Sequence, residues 1–259
     1  MIIPPKSSIR VSGSNSKSSR EKFHNLILLG LPAKESDAVR KSLEFIELPT
    51  HSVLHEAGEP IKFAYFIESG LASVLTMMID GKSVEVGLAG TDGFIGFPLV
   101  VGLSTSATRV IMQVSGSAYR INSKEFLNVL PTCPMLRERL SRYSLDLGMQ
   151  AVHVAACNRL HEVEERLARW LLMSQDRLGG DTVPLTQEFL AHMLGTRRAS
   201  VTVAAGILQK AGLITYNRGH VRIENRGRLE DAACECYVEM KKQSMKWEQE
   251  ANRLGTLPR

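Results

Sequence analysis

The stretch from residue 185 to residue 223 constrains the fold more than any other part of this 259-residue chain. It contains two short segments with apolar residues at helical spacing, and Gly195 lies between them. Thr186 stands at the N-cap position of the first segment. Gly212 marks the expected end of the second segment, and a short hairpin around residues 217 to 219 comes next. This order of helix, turn, helix and hairpin is the pattern of a winged helix-turn-helix.

The second helix of this pattern is predicted to begin at Arg197, with the Thr196 hydroxyl as its N-cap. Its inward stripe consists of Val201, Ala204 and Leu208, which are three and four residues apart. In a helix-turn-helix the opposite face, near the start of the helix, meets the base edges of DNA, and the hairpin lies beside it. The candidate DNA-binding residues are Thr196, Arg197, Arg198, Ala199, Ser200, Thr202, Val203, Arg218 and His220.

Positive charge is concentrated in the same stretch. Between Thr186 and Ile223 the only acidic residue is Glu188, whereas basic side chains recur. A basic face neutralises phosphates and releases counterions, so we expect the segment to bind double-stranded DNA. The alternative is a winged helix that mediates contacts between proteins, with Arg197 and Arg198 as ordinary surface charges. The net charge of +5 is compatible with an anionic partner but does not prove one.

Composition is that of an ordinary globular chain long enough for two domains, with 44% hydrophobic and 23% charged residues. The apolar runs are shorter than the ~20 residues that a membrane-spanning helix needs, and the first ten residues lack the apolar core of a secretory signal. We therefore expect a cytoplasmic protein without membrane contact. The four cysteines are too few and too irregularly spaced for a disulfide framework and are expected to be reduced thiols.

Between residues 45 and 121 the pattern changes to short apolar runs separated by glycines, and Asp80-Gly81 joins two runs as a hairpin signal. Many short strands predict an antiparallel β-roll or jelly roll, which can bind a ligand, form only a packed core, or hold a metal. Metal ligands must converge, and on a strand His51 and His55 would be about 13 Å apart at ~3.3 Å per residue. We expect structural or surface histidines there, and no enzyme.

Residues 133 to 159 are predicted to form one long helix with a heptad seam. Such a seam predicts a homodimer, whose twofold symmetry matches two DNA half-sites. Packing of one helix face on the roll of the same chain is the alternative. The predicted dimerisation residues are Leu136, Leu140, Tyr143, Leu147, Gln150, Val154 and Cys157.

Cys157 lies four residues from both His153 and His161, so one interpretation of this helix end is a metal or redox site. We expect Cys157 to pack as a small hydrophobic residue instead, because it lies on the apolar seam. In a C-terminal helix, Cys234 and Cys236 would point about 200° apart, which argues against a shared metal ion. The sequence therefore predicts no metal site and no cofactor.

These patterns together predict an α+β protein. A further helix that ends at Gly179-Gly180 is expected to support the helix-turn-helix. The predicted parts are a disordered N-terminal tail (1–20), a β-roll effector-type domain with flanking helices (21–132), a dimerisation helix (133–159), a winged helix-turn-helix DNA-binding domain (160–225) and a C-terminal helical tail (226–259).

This order of parts resembles the Crp/Fnr family of bacterial transcription regulators. The resemblance covers about residues 23 to 223 and is most specific in GEPIKFAYFIESG and GTRRASVTVAAGILQKAGLI. It implies a roll like that of cyclic-nucleotide-binding domains and a homodimer that binds a roughly palindromic DNA site and alters transcription nearby. RNA polymerase and an unknown small-molecule effector are the further partners that it suggests.

Members of this family that bind cyclic AMP carry a Glu after an F-x-G segment and an Arg-Ser or Arg-Thr pair before the next strand. Here Phe97 stands at the Glu position, and Ser106 and Ala107 stand at the pair. A phosphate buried without its arginine is poorly compensated, so we expect no cyclic AMP, and an apolar or weakly polar effector, or none, in its place. The candidate effector pocket consists of Phe94, Phe97, Ser106, Ala107 and Arg109.

Members that sense oxygen use an N-terminal cysteine cluster for an iron–sulfur centre, and here no cysteine precedes Cys133. We therefore expect no iron–sulfur cluster, and haem stays an open alternative without a clear axial ligand. The recognition helix also departs from the family. Many members carry Arg-Glu and then a second Arg where this chain has Arg198, Ala199 and Val203. Arg198 suits guanine, whereas Ala199 and Val203 suit a thymine methyl group, so the target site should differ from the cyclic-AMP type.

Overall fold

The computed structural model describes residues 10–11, 22–217 and 219–255, and side chains within 22–217 and 219–250. The helices are α1 (Leu26–Leu29), α2 (Ala33–Arg40), α3 (Ser123–Val129), α4 (Pro134–Leu160), α5 (Val163–Leu178), α6 (Gln187–Met193), α7 (Arg198–Lys210), α8 (Arg226–Asp231) and α9 (Cys236–Gly255). Short 3-10 helices span Phe97–Val101 and Leu130–Thr132. The strands are β1 (Arg10–Val11), β2 (Glu44–Leu48), β3 (Val53–His55), β4 (Phe63–Met77), β5 (Ser83–Ala89), β6 (Phe94–Ile95), β7 (Thr108–Asn122), β8 (Thr182–Pro184), β9 (Ile214–Asn217) and β10 (His220–Ile223).

The first seven strands form one antiparallel sheet in the order β1-β2-β7-β4-β5, with β3 paired to β7 and β6 paired to β4. This is the roll that the glycine-punctuated runs predict. Residues 10 and 11 pair with Glu47 and Ile46 of β2, so the prediction of a disordered tail is wrong at β1. The rest of the predicted tail lies outside the described residues.

Two 15-residue strands, β4 and β7, run the length of the roll, where the sequence suggested shorter strands broken at glycines. The strands continue because the glycines serve as bulges. Gly70 has φ +86°, and a Cβ on Gly116 would lie 2.0 Å from the Ser69 carbonyl oxygen. Only glycine allows the two backbones to approach this closely while the ladder bends. Asp80-Gly81 forms the predicted hairpin between β4 and β5, with Gly81 at φ +80°.

The helices before and after the roll close one of its ends. The two short helices predicted between Phe23 and Leu43 are α1 and α2. Buried Asn25 caps α1 by accepting from the Ile27 N–H, and its amide donates to the Ile67 and Gly93 carbonyls. Apolar side chains of α1, α3 and the start of α4 share one core with Phe66 and Phe94 of the sheet, so the long helix is fixed to the roll from its first turn.

The C-terminal half is built around α5. Its buried side chains include Leu167, Trp170, Leu171 and Leu172, and Gly179 ends the helix at φ +70°. Trp170 and Leu171 of α5 share a single core with Leu208 of α7, Val221 of β10 and Leu75 of β4. The winged helix-turn-helix and the roll are therefore packed against each other, and are not joined by the long helix alone.

The segment after residue 225 is not one helix. It forms α8, then a turn over residues 232 to 235, then α9. The Asn225 side chain caps α8 by accepting from the Arg228 N–H at 3.0 Å. α9 returns to pack against α4 and α5. No helix in the described part of the chain is both long enough and apolar enough to cross a membrane.

Candidate functional site

The turn between α6 and α7 has the geometry that the sequence predicts. The Thr186 hydroxyl accepts from the Phe189 backbone N–H at 3.2 Å and so caps α6. Gly195 has φ +57°, the left-handed conformation that favours glycine. A Cβ at Gly195 would lie 3.1 Å from a methyl group of Val84 on β5, so this turn also touches the roll.

The recognition helix α7 begins one residue later than predicted, at Arg198, and its N-cap is Arg197 instead of Thr196. The Thr196 N–H donates to the Ala191 carbonyl at 2.9 Å, so Thr196 still belongs to the turn. The Arg197 carbonyl accepts the first helical hydrogen bond, from Val201, at 3.2 Å. No side chain caps this end of α7, which leaves its first N–H groups available to an anion.

α7 divides into the two faces that its spacing predicts. Val201, Ala204 and Leu208 are buried against α5 and α6. The candidate DNA contacts lie on the other face or on the wing. Exposed among them are Arg197, Arg198, Ala199, Thr202, Val203 and His220, while Thr196 and Ser200 are half-buried and Arg218 lies outside the described residues.

The exposed face of α7 combines free cations with apolar groups. In the part of the chain that the structure describes, neither Arg197 nor Arg198 forms an ion pair. Val203 is 63% exposed and presents an apolar group beside these cations. The Thr202 hydroxyl lies 2.8 Å from the amide oxygen of Gln187, which ties α7 to α6. This surface is suited to a partner with both phosphates and methyl groups.

The wing is a three-stranded sheet in the order β8-β10-β9. Its hairpin turns at Gly219, which has φ +80° and whose carbonyl accepts from the Leu185 N–H at 2.6 Å. The Tyr216 hydroxyl donates to the Leu185 carbonyl at 3.0 Å. These bonds fix the wing beside the start of α6, so His220 and α7 belong to one rigid surface.

The opposite side of the DNA-binding domain is docked on the roll through a buried polar network. Trp170 on α5 donates its indole N–H to Glu85 of β5 at 2.7 Å. Gln113 of β7 donates to the same carboxylate at 2.9 Å and lies 2.7 Å from the Met193 sulfur of α6. Ser73 of β4 also donates to Glu85. The sequence reasoning missed this network, although an acid inside the apolar run SVEVGLA and arginines on the buried stripe of α5 were visible signals.

Burial raises the pKa of Glu85 to about 7, although the hydrogen bonds from Ser73 and Trp170 act in the opposite direction. The carboxyl group therefore changes charge near neutral pH at the contact between the roll and α5. A buried carboxylate with satisfied hydrogen bonds gives this contact a single geometry.

Three arginines of α5 are also used inside the chain. Arg166 donates to the Leu194 carbonyl at the end of α6. Arg169 donates to the Met173 sulfur at 3.2 Å, and Arg177 pairs with Asp92 of the roll at 3.1 Å. Unlike the arginines of α7, these side chains are buried or nearly so.

The candidate effector residues do not form one pocket wall. Phe94 is wholly buried and stacks on Phe126, so its assignment to the pocket is wrong; its ring belongs to the core. Arg109 is nearly buried, and its guanidinium pairs with Glu56 at 3.0 Å. The side chains of Ser106 and Thr108 bond to each other at 2.9 Å. Of the other two candidates, Phe97 opens the first 3-10 helix and is half-buried, and Ala107 is exposed.

A cavity of about 300 Å³ lies elsewhere, between the roll, α4, α5 and α9. Its wall includes Tyr143 and Gln150 of α4, Arg177 of α5 and Tyr237 of α9. Burial raises the pKa of Tyr143 well above its ordinary value. Both polar and apolar groups line the cavity, and Arg177 is the cation nearest to the roll.

The predicted dimerisation seam faces the protein's own chain. Leu136, Leu140, Leu147, Val154 and Cys157 are buried, and Tyr143 is in contact with the roll. The Gln150 side chain accepts from the Leu88 N–H of β5 at 2.6 Å. The assignment of these residues to a dimer contact is therefore wrong, because a heptad spacing describes any helix stripe that packs, including one that packs on a sheet.

Three cysteines and one histidine come together at the end of α4. Their ligand-type atoms, on Cys157, His161, Cys234 and Cys236, lie within 4.8 Å of one another, and we call them the thiol cluster. The prediction that Cys234 and Cys236 point apart is wrong, because Cys234 lies in the turn before α9 and not in a helix. His153 is not part of the cluster. The hydrogen bond with Cys234 lowers the pKa of the Cys157 thiol.

Comparisons with known proteins agree with this architecture. Residues 45–133 match the model of the cyclic nucleotide-binding domain, and residues 165–232 match that of the Crp-like helix-turn-helix domain. A curated relative, the transcriptional activator protein FnrL of Cereibacter sphaeroides, is 24% identical over 189 residues, which cover 68% of this chain and 75% of FnrL.

Two solved structures are similar in fold. A putative transcriptional regulator of the Crp/Fnr family from Eubacterium rectale has a TM-score of 0.63 at 13% identity, over 81% of this chain and 98% of that one. FixK2 from Bradyrhizobium japonicum has a TM-score of 0.64 at 14% identity, over 74% of this chain and 98% of that one.

A roll of the cyclic-nucleotide-binding type, a long helix and a winged helix-turn-helix in this order define a class of regulators of transcription. The chain belongs to the Crp/Fnr family of transcriptional regulators. That family consists of regulators, not of enzymes.

Proposed function

We propose that this protein is a sequence-specific regulator that binds a roughly palindromic DNA site as a homodimer in the bacterial cytoplasm. The observation that carries the proposal is the exposed face of α7. Arg197 and Arg198 are free of ion pairs in the described part of the chain, and they stand at a helix N-terminus beside exposed Ala199 and Val203. Guanidinium groups suit phosphates and guanine edges, and small apolar groups suit thymine methyls.

A second face of α4 supports the homodimer. Leu145, Gly148, Val152 and Ala155 are exposed and follow one another at steps of three, four and three residues. Leu145 is 54% exposed and Val152 is 59% exposed, and a Cβ on Gly148 would meet nothing within 4 Å. An apolar stripe with small residues allows two helices to approach closely about a twofold axis. We call these four residues the outer seam.

The features of the roll support DNA binding that needs no cyclic nucleotide. Phe97 stands where family members that bind cyclic AMP have a Glu. The Arg109 guanidinium is already paired with Glu56, so it is not free for a phosphate. An effector, if the protein uses one, is expected to be something other than a cyclic nucleotide.

Selection of bound sequences from random DNA tests the main proposal. The full chain, without added nucleotide, should enrich a site with twofold symmetry whose half-sites are about one helical turn apart. Binding to that site should weaken steeply with salt, because phosphate contacts release counterions. Enrichment of no symmetric site, together with retention of a protein partner, would favour a protein-interaction module instead.

The outer seam has its own test. Leu145→Glu places a charge on the twofold contact and should convert the dimer to a monomer in sedimentation. The control is Leu127→Glu on α3, where an apolar side chain that is 41% exposed lies off α4. A dimer that survives Leu145→Glu, or a wild-type monomer, would remove the outer seam from the proposal while leaving DNA binding by α7 open.

A further inference from the structure

The thiol cluster joins distant parts of the chain at the junction of α4 and α5. Cys157 lies in the last turn of α4 and His161 caps that helix, one residue before the N-cap of α5. Cys234 lies in the turn between α8 and α9, and Cys236 is the first residue of α9. The three cysteines are buried, and the His161 side chain is 15% exposed.

We propose that the thiol cluster is a zinc site in which one Zn²⁺ is bound by Cys157, His161, Cys234 and Cys236. Zn–S bonds of about 2.3 Å and Zn–N bonds of about 2.0 Å place two sulfurs of a tetrahedral site about 3.8 Å apart, and a sulfur and a nitrogen about 3.5 Å apart. Here the Sγ atoms of Cys157 and Cys234 are 3.4 Å apart, and Sγ of Cys236 is 3.6 Å from Nδ1 of His161.

The ligand set and its spacing favour zinc over other metals. Three thiolates and one imidazole in a tetrahedral arrangement are a common set for structural zinc. The ligands of an iron–sulfur cluster are divided among two or more iron atoms, so at least some of their sulfurs are more widely spaced than those that share one ion. All four ligand atoms of the thiol cluster lie within 4.8 Å of one another, so a small closure of the turn before α9 would bring them around one ion.

A carboxylate supports the histidine from outside the cluster. Oε2 of Glu235 lies 3.1 Å from Nε2 of His161, while Nδ1 faces Cys236. Zinc-binding histidines typically donate their second ring N–H to a carboxylate, which orients the ring and fixes its tautomer. Glu235 lies between the two cysteines in sequence, so the same short turn supplies two ligands and the outer carboxylate.

Charge around the site points the same way. Arg169 is 3% exposed and forms no ion pair within 4 Å among the residues described, and it interacts electrostatically with Glu85 and with all three thiols. Arg166, which is also buried, interacts with Cys157 and Cys234. A buried guanidinium needs a nearby negative charge, and a zinc ion with three thiolates carries a net charge of about −1.

Two simpler roles explain less. Packing as small hydrophobic residues accounts for buried cysteines, but not for a histidine held by a carboxylate among them. A disulfide between Cys157 and Cys234 would leave Cys236 and His161 without a role. With four protein ligands the site has no open coordination position, so the zinc is structural. It holds the start of α9 against the junction of α4 and α5.

The test is the metal content of the full chain, purified with a reducing agent and without chelators after growth in zinc-containing medium. We expect about one zinc per chain by mass spectrometry. The Cys234→Ser and Cys157→Ser proteins should each contain at least ten-fold less zinc per chain than the wild type. Cys133→Ser, a substitution of a buried cysteine outside the cluster, should retain it.

A second measurement keeps the test valid if a ligand variant fails to fold. Chemical modification of thiols in the folded wild-type protein should release one zinc to a coloured indicator, and should lower its melting temperature. Cobalt loaded in place of zinc should give the absorption of tetrahedral thiolate coordination. Glu235→Gln should weaken zinc affinity by about 10-fold, as loss of an outer-shell partner does.

Several results would overturn the proposal. Reduced wild-type protein that holds neither zinc nor added cobalt would show that the cysteines only pack. A Cys157–Cys234 disulfide without metal would identify a redox pair, and iron with an equal amount of labile sulfide would identify a cluster. None of these readouts depends on DNA, so the zinc site can fail while the proposed function holds, and the reverse.

Discussion

The arginines on the two sides of the DNA-binding domain are used in opposite ways. At the start of α7, the N-cap Arg197 and the first helical residue Arg198 are exposed and make no ion pair within the described residues. On α5, Arg166 and Arg169 are buried and bound to acceptors of their own chain. The difference shows which cations are available to an external anion. Four changes, each aimed at one side or at the turn between them, would test this division.

Trp170→Ala should have the largest effect, because it breaks the contact between the DNA-binding domain and the roll. It removes a fully buried indole and leaves Glu85 without its donor from α5. We expect a loss of about 3 to 5 kcal/mol in the free energy of unfolding, measured in urea. Trp247→Ala, at a half-buried tryptophan of α9, should cost about 1 kcal/mol. Equal losses would mean that Trp170 does not anchor the contact.

Glu85→Gln tests the same side through pH. The folded-state pKa of Glu85 is about 7, above the ordinary 4.5, so the folded protein holds a proton that the unfolded chain has released. The wild-type should therefore lose about 3 kcal/mol of stability as pH rises from about 4.5 to 7. Glu85→Gln should lack this loss. Ser73→Ala, which removes a hydrogen bond that lowers the folded-state pKa, should extend the loss to higher pH and increase it. Parallel profiles for wild-type and Glu85→Gln would refute the assignment.

Arg198→Ala tests the DNA-facing side. It should weaken binding to the selected site by about 1 to 3 kcal/mol and relax preference at one base pair, without a change in unfolding free energy. Arg137→Ala on α4, another exposed arginine, should leave DNA affinity unchanged. If Arg198→Ala weakens binding equally on every sequence, then Arg198 contacts only phosphate.

Gly195→Ala should have the smallest effect. Alanine at φ +57° costs about 1 to 2 kcal/mol, and the new methyl group would contact Val84 at 3.1 Å. Gly206→Ala, in the middle of α7 with nothing within 4 Å, should instead stabilise the fold by about 0.5 to 1 kcal/mol. Thermal or urea unfolding measures both changes. Losses of equal size would show that the turn is not specifically constrained.

The two sides of the DNA-binding domain also differ in how well the sequence predicts their structure. The helix-turn-helix is local, so its glycines, its apolar stripe and the cap of α6 appear in one short segment, and only the N-cap and first residue of α7 were misplaced. The contact between the DNA-binding domain and the roll depends on pairs of residues that are far apart in the sequence. Trp170 and Glu85 are 85 positions apart, and no periodicity specifies such a pair.

The long helix shows a second limit of periodicity. Both the inner stripe with Leu147 and Val154 and the outer stripe with Leu145 and Val152 have heptad spacing. Only the position of the roll distinguishes them. The thiol cluster was partly visible as C-x3-H and C-x-C, but the turn that brings Cys234 round was hidden by the helical pattern around it.

The hydrogen bond between Thr202 and Gln187 affects the entropy cost of binding DNA. A hydroxyl that already lies 2.8 Å from its partner occupies one rotamer before any DNA arrives. The entropy of ordering that side chain is lost during folding and not at encounter. DNA therefore meets a side chain that is already ordered, and binding loses less entropy than it would with a freely rotating hydroxyl.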